Sequence, residues 1–392
     1  MIPVEEALSQ LFTLVDPLPA ETVPLASAGG RVLAEAAVAA RAQPPFAASA
    51  MDGYAVTSAD ARPGARLAVV GTAAACHRHD PRLRPGTAVR IFTGAPVPEG
   101  ADRIVIQEDA TRTGDMVTLD EVPGTGAHIR PAGADFARGA RLPAPRVLTP
   151  ADVALLAAMN LPRVAVTRKP AVALISTGDE LVMPGEDPGP DQIIASNTFG
   201  LKALLEAHGA EARILPIAAD DPAALRTAFG LAEGADLVVT IGGASVGDHD
   251  LVGPVAAELG MDRAFYKVAM RPGKPLMAGR MGGAAMIGLP GNPVSAIVCG
   301  HVFLVPVLRK MLGLGAAPAP RHTARLAVDI GANGPREHYM RATLTRGADG
   351  FYVAGFHDTV RRISATPPYV VETVAGRNGE SGSAHGHPLE AR

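Results

Sequence analysis

Acidic, basic and amide side chains crowd into four glycine-rich loops between residues 176 and 296, a mixture suited to holding a divalent cation and an oxyanion together. STGDEL carries Asp179 and Glu180, GGASVGDHD carries Asp248 and Asp250, RPGKP carries Arg271 and Lys274, and GLPGNPVSA carries Asn292 and Ser295. Carboxylates are the hard oxygen ligands that Mg²⁺ takes, commonly shared with a substrate phosphate. Two cations on a proline-framed turn suit a tetrahedral dianion. Gly242-Gly243 permits close backbone approach, and successive N–H groups there can form an anion-binding nest. Two adjacent acids cannot face each other, so of Asp179 and Glu180 one is expected to act and the other to cap or shape the turn. The loop is not a P-loop, because it lacks the GK[ST] ending, and His249 within it reads as a solvated histidine.

Such loops need strands that end together. AVALIS, DLVVTI, PLMAG of RPGKPLMAG and AAMIGL have the length and branching of strands buried on both faces, each expected to be a strand breaking into a glycine-rich loop. At the carboxyl edge of a parallel sheet such loops form a ligand crevice. Helix signals fall between the strands: Ser196 or Asn197 as a cap, then Asp221-Pro222, then Asn292-Pro293 opening a long apolar run. Strand and helix alternating at this rhythm predict a doubly wound α/β domain over residues 168–316.

The rest of the chain reads differently. Residues 46–136 alternate short β-type runs with Gly and Pro turns, as in a small β module. Residues 1–45 and 137–167 flank it as a linking α+β domain, with Thr149-Pro150 opening a helix. Residues 317–392 form a C-terminal β domain of antiparallel-type strands, ending in a polar stretch of disordered composition. The fold class is therefore multi-domain α/β. The small module delivers Asp52 on the Met-Asp-Gly-Tyr turn of PPFAASAMDGYAV, and Thr93 in IFTGAPVPEGAD. HIRPAGAD holds Arg130 and Asp135. Each of these alone is ordinary turn chemistry.

Composition narrows the function. Aromatics make up 4% with no Trp, and net charge is −3 without a basic tract, which argues against nucleic acid and anionic membranes. Cys76 and Cys299 cannot build a disulfide framework or a four-thiolate zinc site. PVSAIVCGHVFLVPVLRKML is apolar enough to suggest a membrane span, but His301, Pro306 and its α/β context favour a buried helix. Glu5 and Glu6 stand where a secretory signal carries positive charge, so a cytoplasmic protein is expected.

Taken together, PFAASAMDGYA, FTGAPVPEGAD, STGDEL, GGASVGDHD, PGKP and GLPGNPVSA resemble the molybdopterin molybdenumtransferase family, which includes MoeA-like proteins and the gephyrin E domain. They occur in family order over roughly residues 1–345. The resemblance implies insertion of molybdate into adenylylated molybdopterin with release of AMP, and a requirement for Mg²⁺ or a similar ion. It implies an elongated homodimer whose active site lies between the α/β domain of one subunit and the β module of the other. Asp52, Thr93, Asp135, Glu180, Asp220 and Asp250 match the family's functional positions, with Asp250, Glu180 and Asp248 as metal ligands. Arg130, Gly242, Gly243, Ser245, Lys267, Arg271, Lys274, Asn292 and Ser295 then contact substrate and anion. Arg271 stands where the family commonly has lysine, Gly-Ala-Asp (133–135) replaces Gly-Glu-Asp, and the C-terminal β domain departs from the family's pattern after about residue 356, where it is expected to be atypical or incomplete. A molybdopterin adenylyltransferase is the nearest alternative, disfavoured by the MDGYA and FTGAP modules, and such an enzyme and molybdoenzyme maturation proteins are possible partners. A non-catalytic scaffold that kept the fold is the other.

Overall fold

The computed structural model describes residues 1–122, 126–243, 251–320, 322–326, 334–346, 352–356, 369–373 and 384–387. The chain divides into two compact units, Met1–Glu21 with Thr167–Arg392, and Thr22–Val166.

The larger unit is built on a six-stranded sheet in the order Glu211–Ile214, Ala171–Ser176, Leu237–Ile241, Ala284–Leu289, Met277–Met281, Asp262–Tyr266. The first four are parallel, and the last two strands run antiparallel to their neighbours. Alternation along each strand explains the double winding, because successive side chains point to opposite faces. Val172, Leu174, Val239 and Ile287 enter one core with the helices Asn197–Ala207 and Pro293–Cys299. Ala173, Ile175, Val238 and Met286 enter the other with Pro222–Leu231 and Val252–Glu258. Full burial of side chains the size of Leu174 or Ile287 contributes about 1.5–3 kcal/mol each.

Three sequence expectations change here. RPGKPLMAG is not a strand breaking into a loop: the loop comes first, and the strand Met277–Met281 that follows is antiparallel. Reversal still delivers the loop to the functional edge, since Met277 is registered with Gly288 on one side and Tyr266 on the other. Neither Ser196 nor Asn197 caps its helix through a side chain; Asn197 Nδ2 instead donates to the Gly291 carbonyl at 2.7 Å. Residues 1–21, grouped by sequence with the linking domain, belong to the larger unit, where Val4, Ala7, Leu8 and Leu11 of the helix Val4–Thr13 share a core with Leu174 and Leu308. The other caps form as the residues dictate. Asp221 accepts from the Ala224 amide at 2.8 Å, and Thr149 forms a capping box with Asp152. The apolar run is one helix, Pro293–Met311, long enough to cross a membrane but with 72% of its most apolar window buried inside the fold.

At the C-terminal end, His322–Leu326, Glu337–Arg346, Tyr352–Phe356, Tyr369–Thr373 and Ala384–His387 form a sheet that closes on itself. Glu337–Arg346 pairs with both Tyr352–Phe356 and Tyr369–Thr373. One pairing, His322–Leu326 with Tyr352–Phe356, is parallel, unlike the antiparallel set expected. The polar tail, expected to lack structure, supplies a strand: Ala384–His387 bonds to neighbours on both sides through its backbone, which needs no apolar side chains.

The smaller unit holds a six-stranded sheet in the order Arg103–Ile106, Gly53–Val56, Thr87–Ile91, Arg66–Ala73, Met116–Leu119, Ala110–Thr113. Short strands pair beside it, among them Ile129–Arg130 with Ala48–Ser49.

Candidate functional site

In the larger unit the strand register brings the chemistry together. Ser176, Ile241 and Leu289 are aligned across the three central strands, so STGDEL, Gly242-Gly243 and PGNP all begin at one edge. The loop 267–276 joins Tyr266 to Met277 at that same edge. At about 4.8 Å per strand, the strands leading to Glu180 and Asn292 lie roughly 10 Å apart.

Asp179 and Glu180 divide the work that sequence left open between them. Asp179 Oδ1 accepts from the Asp220 amide at 3.0 Å, and Gly178 N donates to Ala218 O at 3.1 Å. Asp179 therefore ties the Asp220 loop to the sheet edge. Glu180 is exposed, and among the described residues its carboxylate has no hydrogen-bond or ion-pair partner. Glu180 and Asp220 thus stand at the edge on loops that Asp179 fastens together.

Gly242 and Gly243 are explained by packing. At φ +97° and +60°, both sit where a β-carbon would meet Thr177: for Gly242 at 2.6 Å from its carbonyl oxygen, and for Gly243 at 2.9 Å from its hydroxyl. The close backbone approach expected of this pair is thus made to the neighbouring STGDEL loop. Thr177 is a residue that sequence reasoning passed over; its buried hydroxyl has no hydrogen-bond partner among the described residues.

The cationic loop is fixed from below. Gly273, at φ +112°, leaves no room for a β-carbon, which would lie 2.7 Å from Cys299 Sγ and 2.9 Å from Met270 Sδ. Burial pushes the Cys299 thiol up, so it packs there as an uncharged apolar group. Arg271 and Lys274 are exposed above it, and neither has a carboxylate partner among the described residues. Lys267, at φ +72°, holds its ammonium 4.8 Å from the Tyr266 ring centroid. The helix start at PGNP is more occupied than its sequence implies. Asn292 Oδ1 accepts the Ser295 amide at 3.1 Å and the Ser295 hydroxyl at 3.3 Å, Ser295 is buried, and Pro293 has no N–H. Fewer donors remain there for an anion. Beside the edge, an apolar cavity of about 530 Å³ is lined by Met183, Phe199, Ile214 and Pro216.

Ser245, Asp248 and Asp250 lie outside the described residues. No group of three or more His, Cys, Asp or Glu side chains is placed to hold a metal among the described ones. Glu180, the described member of the expected ligand set, has the hard-oxygen chemistry that Mg²⁺ takes.

In the smaller unit Asp52 and Thr93 meet directly. The Thr93 amide and hydroxyl both donate to Asp52 Oδ1, each at 2.7 Å. These bonds, hydroxyl first, hold the Asp52 carboxyl below the usual carboxylate range, and the Arg90 charge adds to them. Arg130 Nη2 donates to Asp135 Oδ1 at 2.5 Å, an exposed pair that closes the HIRPAGAD turn on itself. Arg90 and Phe92, which the sequence reading also missed, flank Asp52 and Thr93. The available signal was their closeness in VRIF, with Arg90 near the end of the strand Thr87–Ile91 and Phe92 just past it.

Carboxylates, exposed cations and a helix start thus share one edge of a doubly wound α/β domain, the edge at which such sheets bind ligands. Comparison makes the class specific. Residues 2–160 match the MoeA N-terminal region (domain I and II), and residues 173–310 match a probable molybdopterin binding domain. The sequence is 37% identical over 364 residues to a molybdopterin molybdenumtransferase of Nostoc sp., covering 89% of this chain and 83% of that protein. It is 38% identical over 340 residues to molybdopterin molybdenumtransferase 2 of Mycobacterium tuberculosis, covering 83% and 84%. The crystal structure of the molybdopterin biosynthesis MoeA protein from Pyrococcus horikoshii superimposes with TM-score 0.82 at 28% identity, covering 100% of both chains. The chain belongs to the molybdopterin molybdenumtransferase family.

Proposed function

We propose that this protein inserts molybdate into adenylylated molybdopterin with release of AMP. The observation that carries the reading is the convergence, at one sheet edge, of Glu180 and Asp220 with Lys267, Arg271 and Lys274. Breaking a phosphoanhydride leaves negative charge on the departing phosphate, and fixed cations stabilise it. Arg271 and Lys274 hold the molybdate dianion, with Lys267, Asn292 and Ser295 shaping the anion and substrate contacts. Glu180, with Asp248 and Asp250, would hold Mg²⁺. Bound there, the ion supplies charge neutralisation at the phosphate oxygens.

Asp52 and Thr93 act from the smaller unit, with Arg130 and Asp135 at its substrate-facing turn. The carboxylate–cation edge lies in the larger unit and the Asp52–Thr93 pair in the smaller, and the reading includes the homodimer that the family resemblance implies. The reading places the protein in the cytoplasm, where a molybdopterin adenylyltransferase would supply its substrate and molybdoenzyme maturation proteins would receive its product.

The test is to incubate the protein with adenylylated molybdopterin, Mg²⁺ and molybdate and to follow AMP. Molybdate-dependent AMP release with cofactor formation is the expected result. ATP-dependent adenylylation of molybdopterin would point to the preceding enzyme instead, and neither reaction to a scaffold.

A further inference from the structure

We propose that Arg90 is a positioning residue for Asp52, holding the turn that presents the Asp52 carboxylate through a hydrogen-bonded fork set between two aromatic rings. Arg90 lies on Thr87–Ile91 directly opposite Tyr54, one residue beyond the Asp52-Gly53 turn. Its Nη1 donates to the Gly53 carbonyl at 2.9 Å, and its Nη2 to Gln107 Oε1 at 2.6 Å. Gln107 in turn donates its backbone N–H to the Asp52 carbonyl at 3.0 Å. The carbonyls of Asp52 and Gly53 are therefore both held by one connected network, with the guanidinium at its centre.

The guanidinium is itself located. Its carbon lies 4.6 Å from the Phe92 ring centroid and 5.3 Å from that of Tyr54. Tyr54 is buried and cannot move aside. From the other strand, a β-carbon on Gly53 would lie 2.0 Å from the Val105 carbonyl oxygen, so the turn has no slack in that direction. What remains mobile about Asp52 is its side chain, and Thr93 fixes that.

Arg90 has no ion pair with a carboxylate among the described residues; its donors go to the turn that carries Asp52 and to Gln107, which is bonded to that turn. Lysine cannot replace it, because one ammonium cannot reach both acceptors while stacking on two rings.

The inference rests on the reading that Asp52 takes part in the reaction, and the experiment separates the two. AMP release is measured against pH for wild type, Arg90→Gln, Arg90→Lys and Asp52→Asn, with thermal melting of each. In the Arg90 variants kcat falls about tenfold or more (~1.4 kcal/mol per tenfold), while KM changes less than about twofold and melting little. Loss of the cation raises the Asp52 pKa, so the acid limb of the Arg90→Gln profile moves to higher pH, and that of Arg90→Lys moves less. If Asp52→Asn is inactive but Arg90→Gln matches wild type in kcat and acid limb, the proposal is overturned. It is equally overturned if activity falls only in step with folded protein and the acid limb stays in place. Arg90→Lys carries the comparison should Arg90→Gln fail to fold. An active Asp52→Asn would overturn the reading of Asp52 itself and the proposal with it.

Discussion

Thr93 gives both its amide and its hydroxyl to a single oxygen of Asp52, each at 2.7 Å, leaving Oδ2 without a partner among the described residues. One oxygen fixes the rotamer and leaves the other untied. Thr93→Val removes the hydroxyl donor and keeps the amide. The Asp52 pKa then rises toward the ordinary carboxylate range, so the acid limb of kcat/KM against pH moves upward while melting is unchanged. A limb that stays in place would show that the pair plays no part in the reaction.

The cations on RPGKP should govern molybdate rather than folding. Arg271 and Lys274 are exposed and have no carboxylate partner among the described residues, so neutralising either leaves melting unchanged. A charge-assisted hydrogen bond is worth about 1.5–3 kcal/mol, which is roughly a tenfold to hundredfold change. Arg271→Gln and Lys274→Gln are expected to raise the molybdate concentration for half-maximal AMP release by that factor. Arg271→Lys should raise it less. Molybdate titration of AMP release checks this, and equal curves for all variants would remove both residues from the anion site.

Gly242→Ala tests the contact between loops. Its β-carbon would meet the Thr177 carbonyl at 2.6 Å from a backbone at φ +97°, and a carbonyl cannot rotate away as a side chain could. Strain of this kind costs about 1–3 kcal/mol. Denaturant unfolding should show that loss, together with a fall in activity beyond it, because displacing Thr177 shifts the adjoining Asp179–Asp220 tie. Gly64→Ala, with nothing within 4 Å of its β-carbon and a comparable φ of +79°, provides the control for backbone strain alone.

The cap at Thr149 is far in sequence from the motifs and should affect stability only. Its hydroxyl accepts the Asp152 amide at 3.2 Å, while Asp152 Oδ2 accepts the Thr149 amide at 2.9 Å. Thr149→Ala should cost about 1–2 kcal/mol in unfolding experiments. Burial opposes ionisation of Asp152, but the Thr149 bonds and the Arg146 charge outweigh it and lower its pKa. A depressed carboxylate contributes stability above its unfolded value, about 3.9, and loses it as pH falls through the folded value. Asp152→Asn should therefore flatten acid denaturation below about pH 4.

Much of this was legible in sequence because it depended on local pattern. Apolar branched runs such as AVALIS and LVVTI have few alternatives to doubly buried strands, and Thr149-Pro150 and Asp221-Pro222 cap as their chemistry requires. What stayed hidden were relations across the chain. That Asp179 rather than Glu180 shapes the turn depends on an amide 41 residues away. The reversal of Met277–Met281 depends on its neighbours, since a buried strand reads alike in either direction. Arg90 was missed for a related reason. Its acceptors are Gly53 on the neighbouring strand and Gln107 in the short 3-10 turn after the strand Arg103–Ile106, and no spacing within VRIF announces them.

The closed C-terminal sheet makes the end of the chain a stave of a barrel. Ala384–His387 stands between His322–Leu326 and Tyr369–Thr373. A chain shortened before residue 384 would leave two facing rows of backbone donors and acceptors with nothing between them. Open rows of that kind recruit strands from other molecules. Removing a few polar residues is thus expected to produce self-association and precipitation, a failure of colloidal behaviour rather than of chemistry.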